Sequence, residues 1–140
     1  MSNKYALITG STAGIGLDIA KELARLGHNL ILTARREDRL KEIAGQLSKD
    51  FSIHCDYVVA DLADSSAPEK IFNFCSSNNY AVEILVNNAG YSINKKFHET
   101  GEDEEEKFLR VLGIAVVALT KKFIPGMLEQ KYGRIMMVSS

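Results

Sequence analysis

The sequence predicts an α/β fold, a parallel sheet covered by helices on both faces, and three observations carry that expectation. Apolar runs of strand length recur at residues 5–9, 29–33, 54–59, 83–87 and 134–138. Between them lie segments whose apolar residues repeat at helical spacing, the alternation that builds βαβ units. The first run also passes into the first helical segment through a glycine-rich bend, which permits a sharp strand-to-helix turn.

The first helix is expected over 14–26, because Ile15, Ile19, Leu23 and Leu26 fall on one stripe and Gly27 can supply a left-handed cap. That stripe is expected to pack on the sheet. The second, over 37–47, aligns Leu40, Ile43 and Leu47 and opens with Glu37 and Asp38, where the helix dipole favours acid. The third opens with Ser66 and Glu69 spaced as a capping box around Pro68 and is expected to bury Ile71, Phe72 and Cys75. The fourth begins after Thr100, whose hydroxyl is expected to cap it, and its acidic opening from Glu102 to Glu106 reads as a solvated helix start. Beyond that opening Val111, Leu112, Ile114, Val116, Val117 and Leu119 occupy every side of the helix, so cover is expected on both sides.

With 140 residues, 46% apolar and 25% charged, the chain is long enough for one domain with a real core. Its formal charge of -1 makes no electrostatic case for a nucleic-acid or membrane partner. The longest apolar stretch, 111–119, is far short of the roughly 20 residues that cross a bilayer. Cys55 and Cys75 lack CxxC spacing and read as buried small hydrophobes, and with His28, His54 and His98 scattered no metal cluster is expected. The polar Ser2-Asn3-Lys4 leads into a strand-like run and not an export leader, so a cytoplasmic location is expected.

The bend reads Thr9-Gly10-Ser11-Thr12-Ala13-Gly14-Ile15-Gly16. Glycines there let the backbone approach a pyrophosphate, while the helix N-terminus offers amide donors. The alternative is a glycine-rich turn that holds no ligand. At the end of the second strand stands Thr33-Ala34-Arg35-Arg36, where an NAD-selective site would place Asp or Glu. A guanidinium can bond a 2'-phosphate bidentately, so NADP is favoured over NAD, with Arg35 the first candidate and Arg36 the second. The alternative is a surface arginine pair. Asp61-Leu62 follows the third strand, where a turn-forming Asp is the other reading, and Asn87-Asn88-Ala89-Gly90 follows the fourth.

These motifs, with the spacing G-x-x-x-G-x-G and with Gly133-Arg134-Ile135 leading to Val138-Ser139-Ser140, make the chain resemble the short-chain dehydrogenase/reductase family from Lys4 to Ser140. The resemblance implies a Rossmann-type doubly wound parallel sheet, order 3-2-1-4-5, truncated in this chain after the fifth strand. It implies that Gly10, Ser11, Thr12, Gly14, Ile15 and Gly16 cradle the dinucleotide and that Arg35 and Arg36 meet the 2'-phosphate. Asp61 then accepts a hydrogen bond from the adenine amino group, and the Leu62 amide bonds a ring nitrogen. Asn88, Ala89 and Gly90 pass near the adenosine ribose, with Asn88 and Gly90 expected mainly as scaffold.

Hydride transfer in the family uses a Tyr, a Lys four residues later and a Ser that orients the substrate carbonyl. The alignment makes Ser140 that serine and places Tyr-x-x-x-Lys beyond residue 140; Tyr57, Tyr80, Tyr91 and Tyr132 do not supply the motif. Leu112 stands where the family carries a relay Asn, and its side chain has no hydrogen-bonding atom. Two readings follow. One is the N-terminal, cofactor-binding part of an NADP-dependent oxidoreductase that interconverts a small-molecule carbonyl and alcohol. The other is an inactive NADP(H)-binding module or a remnant. An exposed strand edge and apolar helix face are expected, with self-association of this chain and a homo-oligomer at full family length.

Overall fold

Five strands form one parallel sheet: β1 (Lys4–Thr9), β2 (Asn29–Ala34), β3 (Cys55–Val59), β4 (Ala81–Asn87) and β5 (Arg134–Met137). Their order is β3-β2-β1-β4-β5, as expected, in a computed structural model that describes residues 2–139. The chain reverses its direction of winding between β1 and β4, so a crevice opens at the carboxyl ends of these strands. In the central register Leu7 pairs with Ile31 on one side and Leu85 on the other.

Alternation along the strands sorts the core into two layers. Ala6, Ile8, Leu30, Leu32 and Val86 face α1 (Gly14–Arg25) and α2 (Glu37–Phe51). Leu7, Ile31, Val58 and Leu85 face α3 (Ala67–Ser77) and α5 (Ala115–Gln130). The expected fourth helix is divided, since α4 (Glu102–Leu109) joins α5 through a π turn, Arg110–Ile114. Burial pushes the thiols of Cys55 and Cys75 up to about 12; Cys75 is fully enclosed and Cys55 only partly.

The inner face of α1 differs from the expected stripe. Ile15 and Leu26 are 61% and 58% exposed, whereas Gly16, Ala20 and Ala24 are buried. A Cβ at Gly16 would stand 2.3 Å from both the Gly10 carbonyl oxygen and Asn88 Nδ2, so the helix lies too close to the sheet for a bulky residue. Its C-terminal end is as expected: Gly27 takes φ 87, and the His28 amide donates to Leu23 O at 3.0 Å. Helix α2 runs past Leu47 to Phe51 and ends at Ser52 in the left-handed region.

Neither hydroxyl cap forms, because Ser66 lacks the extended backbone of a capping residue and Thr100 stands one residue too early. Ser66 has helical backbone angles and its hydroxyl donates to Asp64 Oδ1 at 2.8 Å, while Glu69 pairs with Lys122 of α5. Ile71 and Cys75 are buried as expected, and Phe72 is half-buried against Phe123. Gly101 is the residue before α4, and the Thr100 hydroxyl instead donates to Phe97 O at 2.8 Å.

Along the long helical run Val111, Ala115, Leu119, Phe123 and Met127 repeat every four residues and enter the core. The opposite side, with Leu109, Ile114, Val117 and Leu128, is exposed, so cover exists on one side only. The continuous run Glu102–Gln130 is long and apolar enough to cross a membrane by length and composition, which the 111–119 stretch alone is not. All of β5 is exposed, so the open strand edge is also present.

Candidate functional site

The carboxyl ends of β1 to β4 open into one cleft of about 850 Å³. Its first wall is the glycine bend, represented by Gly10, Thr12, Ala13, Gly14 and Ile15. Gly10 and Gly14 both take left-handed angles, φ 63 and φ 55. A Cβ on Gly10 would strike Ala89 Cα at 2.8 Å. One on Gly14 would meet nothing within 4 Å and would project into open space, so the bare backbone leaves a cradle there. Helix α1 starts at this point with no side-chain cap among the described residues and no acid in its first turn. Its first amides therefore offer unneutralised positive potential, suited to an anion.

The bend is latched to β4. Thr9 Oγ1 accepts the amides of Asn88 and Ala89, both at 2.9 Å, and Asn88 Nδ2 donates to Thr9 O at 3.1 Å and Gly10 O at 3.0 Å. Asn88 is thus scaffold as expected, although it also lines the cleft with Ala89 and Gly90. Gly90 faces Leu112, whose Cδ2 would lie 2.8 Å from an added Cβ but is the movable end of a half-exposed side chain. Thr9 was not singled out from sequence, and the available signal was a hydroxyl closing an otherwise apolar strand. Ser11 and Gly16 stand behind the wall: Ser11 is fully buried and its Oγ donates to Thr33 O at 3.4 Å.

The second wall separates the two arginines. Arg35 lines the cleft beside Thr33 and Ala34. Arg36 turns to Asp38 at 3.0 Å and holds that carboxyl below its ordinary value. Arg36 thus rests on Asp38 in an exposed pair at the start of α2 and is absent from the lining. Thr33 is 2% exposed, and its Oγ1 has no hydrogen-bond partner among the described residues. A buried hydroxyl left so costs about 1–3 kcal/mol, and a polar ligand atom in this cleft would offset that cost.

After β3 the wall is built from Ala60, Asp61, Leu62 and Ala63. Asp61 Oδ1 accepts the Ala63 amide at 2.9 Å, so the turn-forming reading holds for one oxygen of a residue that also lines the cleft. Leu62 is 8% exposed and belongs to the core layer beneath. Tyr91, Lys107 and Val111 complete the lining, and sequence reasoning singled out none of them for this site. Ser140 lies outside the described residues.

Small residues thus leave a broad slot whose polar groups converge from four strand ends, with an uncapped helix N-terminus at one wall and a guanidinium at another. The profile of the short chain dehydrogenase family matches residues 4–140. A 3-oxoacyl-acyl-carrier-protein reductase of Aquifex aeolicus is 31% identical, over 100% of this chain and 56% of its own. L-sorbose reductase from Gluconobacter frateurii, solved with NADPH and L-sorbose, superposes with a TM-score of 0.91 at 34% identity, over 98% of this chain and 52% of its own. A metagenomic short-chain oxidoreductase solved with NADP gives a TM-score of 0.91 at 28% identity, over 99% of this chain and 63% of its own. The chain spans about half the length of the curated relatives it matches. Sheet order, glycine bend and a match along nearly every residue lead to one conclusion: the chain belongs to the short chain dehydrogenase family.

Proposed function

We propose that residues 1–140 form the NADP(H)-binding Rossmann domain of an oxidoreductase that interconverts a small-molecule carbonyl and alcohol by hydride transfer. The observation that carries the reading is Arg35 in the cleft lining at the end of β2, where a carboxylate would select NAD. Solved relatives with NADPH or NADP in place support it. Bound NADP(H) supplies or accepts the hydride.

The chain's own residues bind and orient. The open backbone at Gly14 would leave room for a pyrophosphate, Gly10 would hold the bend against the end of β4, and the first amides of α1 would donate to the anion. Asp61 and the Leu62 amide receive the adenine edge, Thr33 gains a partner for its hydroxyl, and Arg35 pairs with the 2'-phosphate. Ser140 is read as the serine that orients the substrate carbonyl.

Titration of NADPH fluorescence with the purified chain tests the reading. Saturable binding is expected, weakened at least about tenfold by Arg35→Asp, since a charge-assisted bond contributes roughly 1.5–3 kcal/mol. NADH affinity should change far less. No saturation at millimolar NADPH would overturn the reading.

A further inference from the structure

Directly after the acidic opening of α4 stands a cation that faces the cleft. Lys107 lines it together with Asp61 and Tyr91. Its Nζ rests 3.1 Å from Asp103 Oδ2 one turn earlier, with the two side chains 57% and 82% exposed. A pair so exposed is weak, so its lysine exchanges readily for a better anion. The bond to Asp103 holds the Lys107 ammonium above its ordinary value, and the Asp61 carboxylate acts in the same direction.

Charge balance gives that position a use. The residues lining the cleft carry one carboxylate, Asp61, and two cations, Arg35 and Lys107. A dinucleotide brings several negative charges, and the four-carbon lysine stem lets its ammonium move without moving the helix.

We propose that Lys107 is a mobile cationic clasp: when the cofactor binds, its ammonium leaves Asp103 and pairs with the anionic dinucleotide, closing the cleft from the side of α4. The proposal rests on the reading that this cleft takes NADP(H). Asp103 is then the resting partner that competes with the cofactor for the same ammonium.

The experiment is an NADPH titration of the full chain at several salt concentrations, with melting temperatures measured alongside. Lys107→Met is expected to weaken NADPH about threefold to tenfold and to lower the salt dependence of its Kd, because one counter-charge is lost. Asp103→Asn is expected to tighten NADPH about twofold to threefold, since the competitor is gone, and Lys107→Arg should restore most of the wild-type affinity. A helix-surface pair with no role in binding would leave both Kd values unchanged and lower the two melting temperatures alike. The inference is overturned if Lys107→Met keeps the wild-type Kd and salt slope, or if Asp103→Asn weakens binding as Lys107→Met does. Failure of the unsubstituted chain to bind NADPH overturns the proposed function instead, and it shows before any variant is made.

Discussion

At Gly16 the absence of a methyl group sets how closely α1 approaches the sheet, and through that where the glycine bend lies. An added Cβ would meet the Gly10 carbonyl oxygen and Asn88 Nδ2 at 2.3 Å, and the backbone oxygen cannot swing aside. Gly16→Ala is therefore expected to destabilise the chain by about 2–3 kcal/mol through overpacking and to weaken cofactor binding by displacing the bend. Ile15→Ser, at a side chain 61% exposed, should stay within about 0.5 kcal/mol of the parent. Urea midpoints of the two variants check this, and an unchanged midpoint for Gly16→Ala would show that the helix can slide outward. Residue by residue, the sequence disclosed the placement of groups that stand at a turn, such as Gly10, Gly14 and Arg35. It did not disclose competition between neighbours. Arg36 rests on Asp38 two positions on, and Lys107, directly after a run of acids, reads as part of a solvated helix start.

At the scale of elements, the inner strands β1, β2 and β4 were legible because a strand covered on both faces is apolar nearly throughout, and β5 was legible by the same apolar run although it is exposed along its length. Helix existence was equally plain, but the inner face of α1 was not. A stripe of large residues marks the buried face only when the helix stands at ordinary distance, and here Gly16, Ala20 and Ala24 bring it closer. The π turn at Arg110–Ile114 was also invisible, since no proline interrupts it and no local pattern marks the wider bonding. Element stability follows position in the sheet. Strand β5 has four residues, is exposed along its length and pairs with β4 alone, whereas β1 is flanked by β2 and β4. Native-state hydrogen exchange should release the amides of β5 well before those of β1, whose opening approaches global unfolding. Equal protection of the two strands would mean that β5 is secured by contacts this chain makes with another copy.

For the molecule as a whole, that outcome connects with its surface. Leu109, Ile114, Val117 and Leu128 line the outer side of the long helical run, and Ile135, Met136 and Met137 lie on the open edge strand. Exposed apolar side chains on a helix and on an edge strand favour association, and an unpaired parallel edge presents free backbone donors and acceptors. The chain alone is accordingly expected to self-associate, sedimenting as a dimer or larger species at micromolar concentration. Placing lysines at Ile114 and Val117 together should shift it toward monomer, because both side chains are at least half exposed and a desolvated ammonium opposes burial in an interface. Neither residue lines the cleft, so NADPH affinity should survive the same double substitution if the cofactor site is complete within one chain. A monomeric parent chain would overturn the association argument. Loss of NADPH binding in step with dissociation would instead show that a second copy helps shape the cleft, and would move the functional unit from the single chain to the assembly.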